Sequence, residues 1–167
     1  SRDIGCHGAA ILMAREGLTL ESALQSDCAT LWPIVEQLIA ANIPIHAMRD
    51  ATRGGLSAVL NEWAVASNVG ITVNEASIPV SDEVKGLCEL YGFEAMDLAN
   101  EGTFILAVPN DIALGALEIM QRFGRCEHAA IIGTVSDELA GKVVLRTPWN
   151  TKRYLDLPQG ELLPRIC

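Results

Sequence analysis

Stretches with helical periodicity alternate with short β-branched runs along the chain, and this interleaving restricts the fold to a layered α/β or α+β arrangement. Residues 7–16 read as a helix closed by Gly17. Residues 29–41 read as a second helix, with Leu31, Ile34, Val35, Leu38 and Ile39 on one stripe. Pro44 opens a strand over 45–48, residues 49–55 form a loop, and a helix spans 56–67 before the stop at 68–70. Residues 71–73 form a strand by their β-branched content. Ser81, backed by Asp82 and Glu83, caps a helix reaching Tyr91. A polar loop over 96–102 leads into a strand over 103–108. A helix capped by Asn110 or Asp111 runs to Phe123, and strands over 130–135 and 142–145 follow, joined by a turn at 137–141.

After residue 145 the pattern changes. Pro148, Pro158 and Pro164 interrupt a stretch without helical period, which favours extended backbone. The expected organisation is therefore an α/β domain over residues 1–146 and an extended tail over 147–167 that ends in Cys167. Fully extended, a tail of about 20 residues could reach on the order of 60 Å.

Half of the 167 residues are hydrophobic and only 5% are aromatic, so the core is aliphatic. No apolar run reaches the roughly 18 residues of a membrane span, and no signal peptide is visible. The first residue is Ser1 rather than Met, and a segment upstream is expected to be missing. The formal charge of −9 argues against nucleic acid as a partner. It leaves nucleotides open, since their sites are local and often use backbone N–H groups. Cys6, Cys28, Cys88, Cys126 and Cys167 are odd in number and irregularly spaced, which argues against a disulfide framework or a zinc ribbon. Cys28, Cys88 and Cys126 are read as small buried hydrophobes in a reducing cytoplasm. Trp32, Trp63 and Trp149 are read as packing anchors, and His46 as a core or edge histidine.

Three constellations can carry chemistry. In the first, Asp50, Thr52, Arg53, Gly54 and Gly55 lie between a strand and a helix. The glycines allow close backbone approach, the helix start suits phosphate, Asp50 could hold a metal ion and Arg53 could neutralise an anion. A glycine turn capped by Asp or Thr explains the same pattern. In the second, Asp97, Asn100, Glu101 and Gly102 place a carboxylate at the mouth of a strand, as a general base or as a solvated acidic loop. The third is the tail, where Cys167 offers a sterically open thiol beside Arg165, or an incidental cysteine at a frayed end. No metal site is assigned to His7, His46 or His128.

Taken in order, Gly5-Cys6-His7-Gly8, the segment 49–56 ending Gly54-Gly55-Leu56, Ala99-Asn100-Glu101-Gly102, Ile132-Gly133 and the terminal Pro164-Arg165-Ile166-Cys167 resemble the hydrogenase maturation proteins of the HypE type. Cys6 stands where many members carry Asp. The segment around Gly54-Gly55 is similar more widely to aminoimidazole ribonucleotide synthetase and selenophosphate synthetase. The resemblance implies their C-terminal α/β domain, partly ferredoxin-like, with the ATP-binding N-terminal domain outside this chain. It implies ATP and Mg2+ as cofactors held mostly by that domain, and a homodimer at full length. It implies loading of a carboxamide onto Cys167 by a HypF carbamoyltransferase, ATP-dependent dehydration to a thiocyanate with Glu101 as base, and delivery of cyanide to iron on a HypC–HypD complex. Asp50, Thr52, Arg53, Gly54 and Gly55 would then help cradle phosphate. The competing readings are another ATP-dependent enzyme of the same superfamily, which needs no terminal cysteine, and a non-catalytic docking module whose tail binds a partner.

Overall fold

The computed structural model describes residues 1–17 and 24–158. Its elements in order are α1 (Cys6–Glu16), α2 (Trp32–Ala40), β1 (Ala47–Asp50), α3 (Gly55–Ser67), β2 (Gly70–Asn74), α4 (Asp82–Tyr91), β3 (Phe104–Ala107), α5 (Ala113–Gln121), β4 (Gly133–Ser136), β5 (Val143–Arg146) and β6 (Lys152–Tyr154). Short 3-10 turns lie at Glu75–Ser77 and Ala95–Asp97. The expected mixed α/β class holds.

Local chemistry sets several boundaries. Ser81 caps α4 as expected, its Oγ accepting from Val84 N–H at 3.4 Å. Asn68 closes α3 in the left-handed region at φ 51°. Pro33 lies in the first turn of α2, and the helix starts at Trp32 rather than at residue 29. Neither Asn110 nor Asp111 caps α5, which begins at Ala113 after Ile112 with no side-chain cap. The first strand lies two residues later than its apolar pattern indicates, because it is placed by antiparallel pairing of Ala47 with Ala107 and of Asp50 with Phe104.

The strands form two sheets. β1 and β3 make an antiparallel pair, and a four-stranded sheet has the order β4-β2-β5-β6. In the larger sheet β2 runs parallel to β5 and antiparallel to β4, while β6 is antiparallel to β5. Three apolar clusters glue the helices on. Leu56, Leu60 and Ala64 of α3 pack on Ile71, Val73, Val143 and Leu145 of β2 and β5. Cys6, Ala9 and Leu12 of α1 meet Val84, Leu87 and Cys88 of α4. Ile34 and Leu38 of α2 meet Ala116 and Met120 of α5 over Phe104.

Two expectations need correction. Trp32 and Trp149 are 60% and 83% exposed, so only Trp63 packs against a core cluster. Trp32 sits on the solvent side of α2, and Trp149 in the turn between β5 and β6. The second concerns the tail. It does not leave the domain at residue 147, because β6 pairs Val144 with Tyr154 and Arg146 with Lys152. Leu155 follows, 4% exposed, its N–H donating to Val143 O and its carbonyl accepting from Asn61 Nδ2 at 2.9 Å. Leu155→Ala is therefore expected to lower stability by about 2–5 kcal/mol in chemical denaturation, as for other buried leucines. If Leu155→Ala is neutral, β6 is not part of the fold.

Candidate functional site

The segments 50–55 and 97–102, distant in sequence, form one unit. β1 delivers Asp50, and Gly55 starts α3 at φ 58°. A Cβ on Gly55 would lie 2.4 Å from Met96 O and 2.5 Å from Leu98 O, so only glycine lets the second segment press on the helix start. The Asn100 side chain, fully buried, then ties three pieces together. Its Oδ1 accepts from Gly5 N–H at 2.7 Å, and its Nδ2 donates to Ala51 O at 2.9 Å and Leu98 O at 3.0 Å. Its backbone N–H also donates to Ala51 O, and Ala51 N–H to Thr103 O. Met96 and Leu98 are buried with it, so this stretch is not the solvated acidic loop that its composition allows.

A residue that the sequence reading passed over completes the frame. Asp27 is 1% exposed, and its carboxylate accepts from Glu101 N–H at 2.9 Å, Gly102 N–H at 3.0 Å and Thr103 Oγ1 at 2.8 Å. Three donors compensate the desolvation of the charge. Gly102 is required by closeness, since a Cβ there would sit 1.8 Å from Asp27 O. No periodicity marks Asp27, which lies in irregular backbone between helices. Alternation carries the neighbouring Cys28 outward, so this thiol is exposed, contrary to the expectation of burial, while Cys88 and Cys126 are buried. On the far side of Asp27, Ser26 Oγ and His7 Nδ1 are 2.8 Å apart, and Gly8 N–H at the start of α1 donates to Ala99 O.

The frame displays the candidate residues unequally. Asp50, Arg53 and Glu101 are exposed, Thr52 and Gly54 half-buried and Gly55 buried. The described residues give the Glu101 side chain no cover. Asp97, half-buried, is the carboxyl pushed up by desolvation; the facing Ser57 hydroxyl lowers it although the pair falls short of hydrogen-bond geometry, Glu94 raises it and Arg153 lowers it. Burial also pushes the Cys88 thiol up to about 11. Pro158 lies beside Gly54, where a Cβ would be 3.9 Å from Pro158 Cγ. Cys167 itself lies outside the described residues. No three His, Cys, Asp or Glu side chains converge to hold a metal among the described residues. No helix among them is long and apolar enough to cross a membrane.

With this geometry in place, comparison with known proteins is informative. Residues 1–146 match the family described as AIR synthase related protein, C-terminal domain. The chain is 44% identical over 168 residues to the carbamoyl dehydratase HypE of Escherichia coli K12, covering 100% of this chain and 49% of that protein. It is 43% identical to the HypE of Rhodobacter capsulatus, over 98% of this chain and 48% of that one. A crystal structure of hydrogenase maturation protein HypE superposes with TM-score 0.94 at 40% identity, over 99% of this chain and 54% of that one. HypE in complex with ATP gives 0.93 at 37% identity, over 99% and 51%. A HypE–HypF complex gives 0.89 at 39% identity, over 94% and 51%. The chain thus spans about half the length of the relatives it is similar to.

Removing the Asn100 side chain strands Gly5 N–H and Leu98 O, while Ala51 O keeps the backbone N–H of residue 100, at about 1–3 kcal/mol for each group left unpaired. Asn100→Ala is expected to lower the melting temperature well beyond any effect of Glu101→Gln; equal melting temperatures would remove Asn100 from the frame. The raised Asp97 gives a pH signature. Its contribution is present in full below the unfolded carboxylate value of about 3.9 and declines as pH rises through the higher folded value. Asp97→Asn is expected to abolish that decline, giving a flatter melting-temperature profile across the acid range.

Proposed function

The chain belongs to the family of AIR synthase related proteins, as their C-terminal domain, and from this we propose that it is the carrier half of a carbamoyl dehydratase acting in [NiFe]-hydrogenase maturation. The observation that carries this reading is an identity to HypE proteins sustained over the whole chain rather than over one motif.

On this reading the sulfur of Cys167 accepts a carboxamide from a HypF carbamoyltransferase. ATP, the co-substrate, supplies a phosphoryl group that turns the amide oxygen into a leaving group. One N–H proton leaves as that oxygen is phosphorylated. The second leaves as the C–O bond breaks, and the sulfur is left carrying C≡N. Cyanide then passes to iron on a HypC–HypD complex in the cytoplasm. Glu101 is the base for the second proton, and with its side chain exposed it requires cover from the half of the protein outside this chain. Arg53, which makes no ion pair among the described residues, contributes charge to the phosphate with Thr52 and Gly54 beside it. Gly55 is accounted for by packing against the 96–98 carbonyls. No three His, Cys, Asp or Glu side chains among the described residues gather to hold Mg2+, and on this reading the metal is held mostly by the part of the protein outside this chain.

The tail fits the carrier role by its point of departure. Pro158 lies beside Gly54, and from residue 158 to residue 167 the chain can span about 30 Å. This is half the reach that a tail beginning at 147 would have.

In the full-length protein, Cys167→Ala is expected to abolish the cyano adduct on the C-terminal peptide, read by mass spectrometry after incubation with the loading partner and ATP. An adduct of unchanged yield on another residue would overturn the assignment. Glu101→Gln is expected to leave loading intact and to slow dehydration ~10²–10⁴-fold. Dehydration at the unmutated rate makes Glu101 a loop residue only. Arg53→Ala is expected to reduce ATP turnover by the equivalent of about 1.5–3 kcal/mol while sparing loading. Equal loss in both assays with a lowered melting temperature would assign Arg53 to the fold.

A further inference from the structure

The Gly5-Cys6-His7-Gly8 motif forms the cap and first turn of α1, and that turn is fastened to the 99–103 loop on both flanks. Gly5 N–H donates to Asn100 Oδ1 at 2.7 Å, and Gly8 N–H to Ala99 O at 2.9 Å. Between these anchors Cys6 turns inward, 7% exposed, and packs in the cluster of Ala9, Val84 and Leu98. His7 is half-buried and is not one of the core residues. Its Nδ1 lies 2.8 Å from Ser26 Oγ, and that oxygen accepts from Cys28 N–H at 3.2 Å. Ser26 immediately precedes Asp27, whose carboxylate holds Glu101 N–H, Gly102 N–H and Thr103 Oγ1.

We propose that His7, acting through Ser26, is a positioning residue for Glu101 in the dehydration; the inference rests on the reading of Glu101 as the base. One turn of helix then grips the loop at three successive places. It holds residue 99 directly, residue 100 through its side chain, and residues 101–103 through Ser26 and Asp27. The third grip differs in kind from the other two. Gly5, Gly8 and Asn100 are buried, and their bonds hold the fold whatever happens at the site. The His7–Ser26 bond is open to water, which competes for both partners, so it adds little to stability. Its effect is directional. Ser26 and Cys28, on either side of Asp27, are exposed, and His7 ties that segment to α1.

Histidine suits the task. The Ser26 hydroxyl already accepts one bond, and an imidazole nitrogen can meet it as donor or as acceptor. A shift of the 26–28 backbone moves the Asp27 carboxylate, and with it the backbone N–H of Glu101. A base must meet its proton within hydrogen-bond reach, so a displacement of about 1 Å slows the reaction while the fold stays intact.

The full-length protein, loaded with the carboxamide on Cys167, provides the test. Formation of the cyano adduct is followed by mass spectrometry after adding ATP at several concentrations. His7→Ala and Ser26→Ala are each expected to slow dehydration ~10–10²-fold, with loading, the ATP concentration for half-maximal rate and the melting temperature unchanged. His7→Asn, whose amide can bond Ser26 in place of Nδ1, is expected to recover most of the loss. In the Glu101→Gln background, where no base remains to be aimed, His7→Ala is expected to cost nothing further. Full-rate dehydration by His7→Ala and Ser26→Ala beside a slowed Glu101→Gln overturns the inference and leaves the base assignment standing. An equal loss from His7→Ala with and without Glu101→Gln overturns it too, since the residue then acts elsewhere. So does a slowed rate that comes with a lowered melting temperature, since the bond then belongs to the fold. Dehydration at the unmutated rate by Glu101→Gln sinks the base assignment itself, and this inference with it.

Discussion

One buried side-chain amide holds the domain's functional face together. Asn100 spends its oxygen on Gly5 and its nitrogen on Ala51 and Leu98, so the N-terminal segment, the start of the Gly54–Gly55 loop and the 96–102 loop meet at a single group. A hydrophobic residue could fill the same volume, but it could not fix three backbones in register, because dispersion has no direction. The Asp27 carboxylate then locks the next three residues from the other side. Helix and strand packing supply the bulk of the stability, while these two polar groups determine which loops face each other.

The frame separates rigidity from chemistry. The parts that hold are buried: Asn100, Asp27, Thr103 and the glycines at 55 and 102. The candidate residues Arg53 and Glu101 are exposed, and Pro158 lies beside the neighbouring Gly54. On the proposed reading, the cover that Glu101 needs comes from outside the described residues.

Legibility followed the kind of signal involved. The helices at α3 and α4 were readable from their caps and stripes, since Ser81 and Asn68 act through bonds within a few residues. The Gly54–Gly55 and Asn100–Gly102 segments were readable as places of interest, but not their union, which depends on contacts between residues about fifty apart. Asp27 was invisible, because an acid in irregular backbone gives no hint that it will be buried with three donors around it. The strand at 130–135 was read from its residues alone, whereas a strand exists only where a partner offers hydrogen bonds, and here the partner spans Gly70 to Val73. The proline-rich tail was misjudged for the same reason: edge pairing with β5 captures residues 152–154 despite the prolines on either side.

Asp27 grips Glu101 by its backbone N–H and not by its side chain. Any residue except proline can therefore occupy position 101 without disturbing that contact. The scaffold and the reactive group are inherited separately: a lineage can exchange the side chain displayed there, and with it the reaction, while the loop keeps its shape. The same fold can thus pass through catalytically silent intermediates on the way to a new chemistry without first passing through unfolded ones.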